Sequence, residues 1–294
     1  MNKVGFIGVG IMGKSMVRNL MKAGFELHIY ARTKSKVEDV ISEGAQFHES
    51  IKDCVQDCDA VITIVGFPQD VEEVYFDEGN ILDSAKEGAY LIDMTTTSPQ
   101  IAEKIYEEGT KRGFHVMDAP VTGGDTGAKS GTLSILVGGE KEDYEACMPL
   151  FEAMGTNINY QGKAGCGQHC KLANQIMIAG TLSGVCEALT YVKEQGLDPE
   201  IFMKSVATGA AGSKQLDTFG PKILKDDYAP GFFMKHFIKD MKLALIEANR
   251  KGLSLDVLSM VLANYEELEQ EGYGDLGTQA LMKFYDEEHR NTEE

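Results

Sequence analysis

Short apolar runs alternate with amphipathic stretches along the first half of the chain. Runs at 3–7, 26–30, 60–64, 90–93 and 115–118 read as strands, with helical stretches between them. That rhythm predicts repeated βαβ units and an α/β domain with a doubly wound, mostly parallel sheet. A further strand is expected at 134–137 after a glycine-rich loop, then a helix over 142–154. Between Gly162 and Gly167 the strand signal stops and helical periodicity takes over, which places a domain boundary near residue 163. Residues 1–163 would form the Rossmann domain and 164–294 an all-α C-terminal domain. The latter opens with a long helix over 167–195, on which Gly180, Gly184 and Ala188 make a small-residue stripe. Asp198-Pro199-Glu200 reads as a helix N-cap, a first-turn proline and a dipole-matched acid. Later helices fit 237–251, closed by Gly252, and 255–271, closed by Gly272. The charged tail 286–294 is expected to fray.

The turn after the first strand carries the most information. Gly8, Gly10 and Gly13 form G-x-G-x-x-G, with Ile11 and Met12 between the last two. Such glycines serve a tight turn, backbone approach to a pyrophosphate and close helix–sheet packing. With 32 glycines in 294 residues the spacing alone is weak. Its place between an apolar run and an amphipathic one (Met16, Val17, Leu20, Met21) favours a dinucleotide site over a turn with no ligand. A cofactor with a free 2′-hydroxyl usually meets an acid at the end of the second strand. Here that position has no carboxylate but Arg32, with Thr33 and Lys36 behind it. A guanidinium suits a 2′-phosphate, so NADP (as NADPH) is the preferred cofactor, with NAD as the alternative. A solvated basic turn is the competing explanation.

Net charge is −18, which argues against nucleic acid or an anionic membrane surface as partner. No long uncharged apolar span is evident, and the N-terminus enters a strand with no signal-peptide layout. The six cysteines follow no secreted disulfide pattern, so a reduced, cytoplasmic location is expected. Cys166 and Cys170 flank His169, but no second ligand pair follows at zinc-like spacing, and no metal is expected.

The segment from Asp118 to Ala128 leaves a strand end, where ligands of open α/β sheets bind. Gly123 and Gly124 can present adjacent N–H groups to an anion, and Thr122 adds a hydroxyl. A simple turn explains the glycines as well.

Four blocks, in order, resemble the β-hydroxyacid dehydrogenases, the family of 3-hydroxyisobutyrate dehydrogenase, tartronate semialdehyde reductase and glyoxylate/succinic semialdehyde reductase. They are 8–20, ending in Met-x-x-Asn-Leu; 118–133; Gly167-x-x-x-Lys171-x-x-Asn174; and Lys239-Asp240-Met241-Lys242-Leu243-Ala244. The resemblance implies a C-terminal domain of the 6-phosphogluconate dehydrogenase type. It makes Lys171 the catalytic lysine with Asn174 beside it. Thr122, Gly123 and Gly124 would hold a substrate carboxylate, and Thr96, Lys239, Val65 and Gly66 would contact the cofactor. Phe232 and Lys239 would seal the nicotinamide end. The chain departs from the family in reading Val121-Thr122-Gly123-Gly124 where Val-Ser-Gly-Gly is usual, and in placing Lys214 where many relatives have tryptophan. Lys214 either favours a second anionic group on the substrate or points to solvent.

The lysine also fits the chemistry. Reducing an aldehyde leaves negative charge growing on oxygen, which a positioned ammonium neutralises and protonates. The expected reaction is NADPH-dependent reduction of a short aldehyde acid (succinic semialdehyde, glyoxylate or tartronate semialdehyde) to the hydroxy acid. The alternatives are a dehydrogenase oxidising a 3-hydroxy acid and a catalytically silent cofactor-binding protein. The small-residue stripe suggests a homodimer or homotetramer.

Overall fold

A computed structural model describes residues 1–286, so 287–294 of the expected fraying tail lie outside the described residues. The chain divides into two compact units, Met1–Lys171 and Leu172–Glu294.

In the first unit β1 (Lys3–Ile7) turns directly into α1 (Ile11–Lys22), followed by β2 (Glu26–Tyr30), α2 (Glu38–Ser42) and β3 (Gln46–Phe47). The chain continues through α3 (Ile51–Val55), β4 (Ala60–Thr63), α4 (Pro68–Phe76), α5 (Ile81–Ser84), β5 (Tyr90–Asp93), α6 (Pro99–Lys111) and β6 (His115–Asp118). Then come β7 (Val121–Thr122), α7 (Gly124–Ser130), β8 (Leu133–Gly139), α8 (Lys141–Ala146), α9 (Met148–Met154) and β9 (Gly155–Gly162). The strands make one nine-stranded sheet in the order β3-β2-β1-β4-β5-β6-β8-β7, with β9 pairing β8. Pairing is parallel from β3 to β6 and between β8 and β9, and antiparallel where β8 meets β6 and β7.

Apolar side chains cover both faces of this sheet, as a doubly wound sheet requires. Val4, Phe6 and Ile29 pack with Val17 and Leu20 of α1 on one face. Ile7, Val61 and Leu91 pack with Val55 and Val71 on the other. Strand order reverses at β1, which lies between β2 and β4. The crevice beyond the carboxyl ends of β1 and β4 is therefore the switch point where such sheets bind ligands.

Several local expectations shift. The helix expected over 142–154 is two helices, because Pro149 lacks the N–H to continue one ladder and instead sits in the first turn of α9. The strand of 134–137 extends to Leu133–Gly139, and that of 60–64 ends at Thr63. Three strands carried too little signal to be foreseen. β3 and β7 are two residues each, and β9 (GTNINYQG) is mostly polar and exposed at the sheet edge.

The second unit is helical: α10 (Cys166–Glu194), which begins in the first unit, then α11 (Pro199–Val206), α12 (Lys214–Ile223), α13 (Met234–Arg250) and α14 (Asp256–Gln270). Two 3-10 turns, Tyr273–Asp275 and Thr278–Tyr285, follow. Leu182, Leu189, Phe237, Met241, Val261, Tyr265 and Leu281 form its core. Asp198 caps α11 as expected, accepting the N–H groups of Glu200 and Ile201. By length and composition α10 is apolar enough to cross a membrane, against the expectation of no such span; half of that window is buried inside the protein.

Candidate active site

The glycine turn has the form that dinucleotide binding requires. A Cβ on Gly8 (φ +96°) would lie 2.1 Å from the Ile64 carbonyl oxygen, and one on Gly13 would lie 2.1 Å from that of Gly8. Those two glycines let β1, α1 and the end of β4 approach closely. Gly10 differs, since a Cβ there would meet nothing within 4 Å. It is the N-cap of α1, with no side-chain cap and no acid in the first turn. The first N–H groups of α1 are thus left for an outside acceptor, and they fit a pyrophosphate. Ile11 is exposed beside the turn and Met12 is half-buried.

Around this turn, Val65 and Gly66 are half-buried, and the Val65 N–H donates to Thr95 Oγ1 over 3.0 Å. Thr95 and Thr97 are buried and Thr96 less so, which makes Thr96 the outward member of the three. Arg32 is exposed two residues past β2, with Thr33 and Lys36 exposed behind it. Its Nη2 lies 2.5 Å from Asp70 Oδ1 and 3.0 Å from Glu73 Oε2, both on α4.

At the end of β6, the buried Asp118 carboxylate accepts the N–H of Gly165 through Oδ1 and that of Gln168 through Oδ2, each over 2.8 Å. A strand residue thereby caps the start of α10. Burial pushes the Asp118 carboxyl above the ordinary range, and the two backbone donors pull it back. Gln168 completes the joint: its Nε2 donates to the Thr95 carbonyl (2.7 Å), and its Oε1 accepts the Thr97 N–H (3.0 Å). Glycine is needed where the backbones meet. A Cβ on Gly167 would lie 2.3 Å from Leu136 O, and one on Gly138 would lie 2.5 Å from Asp118 Oδ1. One helical turn beyond, Lys171 is only 7% exposed, and Asn174 follows on the same helix face.

The same β6 segment runs on to the anion-binding candidates. Thr122 is half-buried in β7, and Gly123 (φ +129°) and Gly124 (φ +64°) hold conformations that favour glycine. Both glycines are exposed at the start of α7, Gly123 as its N-cap and Gly124 as its first residue, and the first-turn Asp125 pairs with Lys129 at 3.7 Å. Asn19 of α1 donates to Ala128 O over 2.7 Å, tying α7 to the helix of the glycine turn.

Within the second unit a buried relay sets the Asn174 amide. Asp240 is fully buried, and its Oδ2 accepts from Gln175 Nε2 over 2.6 Å. A carboxylate only accepts, so Gln175 must turn its Oε1 away, where it accepts Asn174 Nδ2 over 2.7 Å. Asn174 keeps its Oδ1 as an acceptor that this relay does not use. Lys239 Nζ lies 3.0 Å from the other Asp240 oxygen. Phe232, just before α13, stacks on His236 and meets Phe237 edge-on. Lys214 is exposed at the first position of α12.

Asp118, Gln168, Gly138, Gln175 and Asp240 went unassigned from the sequence. Asp118, Gln168 and Asp240 stand inside or beside the recurring blocks, but only folding shows what they hold. Among the described residues no three His, Cys, Asp or Glu side chains are grouped to hold a metal, and Cys166 and Cys170 are free thiols.

Residues 3–162 match the family model for the NAD binding domain of 6-phosphogluconate dehydrogenase. Residues 165–285 match that for the NAD-binding region of NADP-dependent 3-hydroxyisobutyrate dehydrogenase. The chain is 49% identical over 282 residues to the uncharacterized oxidoreductase YkwC of Bacillus subtilis, covering 96% of this chain and 98% of that one. It is 37% identical over 253 residues to the 2-hydroxy-3-oxopropionate reductase of Escherichia coli, covering 86% of each. Its fold is similar to that of Mycobacterium tuberculosis 3-hydroxyisobutyrate dehydrogenase with L-serine, with a TM-score of 0.89, 25% identity, and coverage of 97% and 99%.

Proposed function

This chain belongs to the β-hydroxyacid dehydrogenase family and is an NAD(P)-dependent oxidoreductase; within that class we propose NADPH-dependent reduction of a short aldehyde acid to its hydroxy acid. The observation that carries this reading is the buried Lys171, one helical turn beyond the joint made by Asp118 and Gln168.

The reduced nicotinamide, when bound, supplies the hydride. The first-turn N–H groups of α1 and the space over Gly10 receive the pyrophosphate. Val65, Gly66, Thr96 and Lys239 line the rest of the coenzyme, and Arg32, Thr33 and Lys36 take its 2′-phosphate. Thr122 Oγ1 and the N–H groups of Gly123 and Gly124 bind the substrate carboxylate, leaving the aldehyde for Lys171. Lys171 Nζ donates its proton to the carbonyl oxygen as charge builds there. Asn174 offers Oδ1 to the hydroxyl that forms, and Phe232 excludes water. In the reverse direction the same Nζ, once deprotonated, takes the hydroxyl proton.

Succinic semialdehyde, glyoxylate and tartronate semialdehyde are the candidate substrates, the last supported by the E. coli relative's name. The exposed Lys214 would favour a substrate with a second carboxylate. Six free cysteines support a reducing compartment such as the cytoplasm. The open space over Gly184 on α10 supports association as a homodimer or homotetramer.

The test is a panel of these aldehydes and of 3-hydroxy acids, followed by NADPH and NADH turnover in wild type and Lys171→Ala. The variant should lose about 10²–10⁴ in kcat with coenzyme affinity little changed. A variant within about threefold of wild type removes Lys171 from the chemistry.

A further inference from the structure

The Arg32 guanidinium is already engaged. Its Nη2 meets Asp70 at 2.5 Å and Glu73 at 3.0 Å, two acids from α4 on one cation. The Arg32 side chain is 61% exposed, so these are solvent-screened pairs of small worth that a ligand can exchange. The two acids are not alike. Asp70 is mostly buried and anchored, because its other oxygen accepts the Phe67 N–H over 2.9 Å at the start of α4. Glu73 is 52% exposed, and among the described residues its carboxylate is held by Arg32 alone.

The end of β2 lacks the acid that would receive a ribose 2′-hydroxyl, yet α4 brings two carboxylates to the same corner. We propose that Glu73, backed by Asp70, is a coenzyme-selectivity residue: it competes with a 2′-phosphate for Arg32 and keeps the unphosphorylated coenzyme usable. Both carboxylates sit on Nη2, so a dianionic phosphate that takes the other guanidinium N–H groups must tolerate two acids beside it, or displace one. A 2′-hydroxyl needs no exchange, since a carboxylate already held by Arg32 can accept its proton. The opposite sign, with Glu73 helping NADPH by pre-ordering Arg32, is the weaker effect. Ordering one exposed side chain gains little, whereas an acid on the same nitrogen repels both phosphate charges. The other cations of this turn are exposed, and Lys34 pairs with Glu49 at 3.4 Å; with Lys36 and the Thr33 hydroxyl they add help for the phosphate but leave the two acids on Arg32 in place.

Glu73 can play this part only if Arg32 receives the phosphate, as proposed above, and the experiment separates the two. Dissociation constants for NADPH and NADH are measured by calorimetry in the absence of substrate, for wild type, Glu73→Gln, Arg32→Ala and the double variant. Glu73→Gln should tighten NADPH by about two- to tenfold and leave NADH unchanged or weaker, with the gain shrinking at high salt. With Arg32→Ala in place, Glu73→Gln should give a smaller gain for NADPH. If Arg32→Ala lowers the NADPH preference but Glu73→Gln leaves it unmoved, Glu73 is not a selectivity residue and Arg32 still is. If Arg32→Ala leaves the preference unmoved, Arg32 does not read the phosphate and both ideas fall.

Discussion

The Gln168 N–H donates to Asp118 Oδ2 over 2.8 Å, and through that bond the end of β6 fixes the helix that carries Lys171. Asp118→Asn would keep one acceptor but turn an amide N–H₂ toward a backbone donor, Gly165 or Gln168. A buried donor left facing a donor costs about 1–3 kcal/mol, and charge-assisted bonds are lost as well. We expect a lower Tm together with a fall in kcat of about tenfold or more, since small displacements of a proton donor are expensive. A variant with lower Tm but wild-type kcat would make Asp118 a cap and nothing further.

Two of the three glycines of α10, Gly167 and Gly184, should respond in opposite directions. Gly167→Ala sets a methyl 2.3 Å from Leu136 O and 2.8 Å from Asp118 O, both backbone atoms, so the helix start must move. Overpacking of this kind costs about 1–3 kcal/mol, and turnover should fall with it. Gly184→Ala meets nothing within 4 Å and relieves a flexible residue mid-helix, a gain of about 0.5–1 kcal/mol. Thermal melts and size-exclusion on both variants check this. A stabilised Gly184→Ala that still self-associates would move the proposed oligomer contact off this face.

The sheet and the principal helices were legible because their periodicity is strong. β1, β4 and β5 are short apolar runs, and the Asp198-Pro199 cap and the closing glycines 252 and 272 carry backbone chemistry in their identity. β9 was not legible, since its exposed polar residues are chosen by solvent rather than by a core. The same limit applies at the site. Lys171, Thr122 and the glycine turn stand in recurring blocks, whereas what Asp118 grips lies 47 and 50 positions away in sequence, and Gln175 meets Asp240 across 65. Contacts at such separation leave no periodic trace. The Arg32–Glu73 pair, 41 positions apart, was invisible for the same reason, and it complicates a charge argument built from local sequence alone.

Gln175 should matter through the two groups it joins. Gln175→Leu frees the Asn174 amide to turn over and leaves the Asp240 carboxylate without its 2.6 Å donor. Both kcat and substrate KM should worsen, by about tenfold combined, if Asn174 must present its oxygen outward. Gln175→Glu instead sets a second carboxylate against Asp240, and two such groups share a proton rather than both ionise. Its activity relative to wild type should therefore rise as pH falls. A leucine variant within about twofold of wild type in both constants would show that the relay orients nothing.

Asp93 gives the fold a pH dependence whose direction can be fixed. It lies opposite Asp118 in the parallel pair of β5 and β6, fully buried. Its Oδ1 accepts Thr63 Oγ1 (2.7 Å) and the Thr95 N–H (3.1 Å), while Oδ2 is buried with no hydrogen-bond partner. Burial pushes this carboxyl up to about 6, the hydrogen bonds from Thr95 and Thr63 restrain it, and neighbouring Asp118 adds to the rise. The folded protein thus holds this proton to higher pH than the unfolded chain, whose carboxyl titrates near the ordinary 3.8. The stabilisation is complete below that ordinary value and is lost as pH rises through about 6, with a cost of about 3 kcal/mol once the group is charged. Asp93→Asn cannot ionise and keeps an acceptor for Thr63 and Thr95. Its Tm should exceed that of wild type at about pH 8 and converge with it only near about pH 3, below the unfolded carboxyl's ordinary value, a difference calorimetry resolves. An advantage that stays constant across this range would mean that Asp93 does not titrate there.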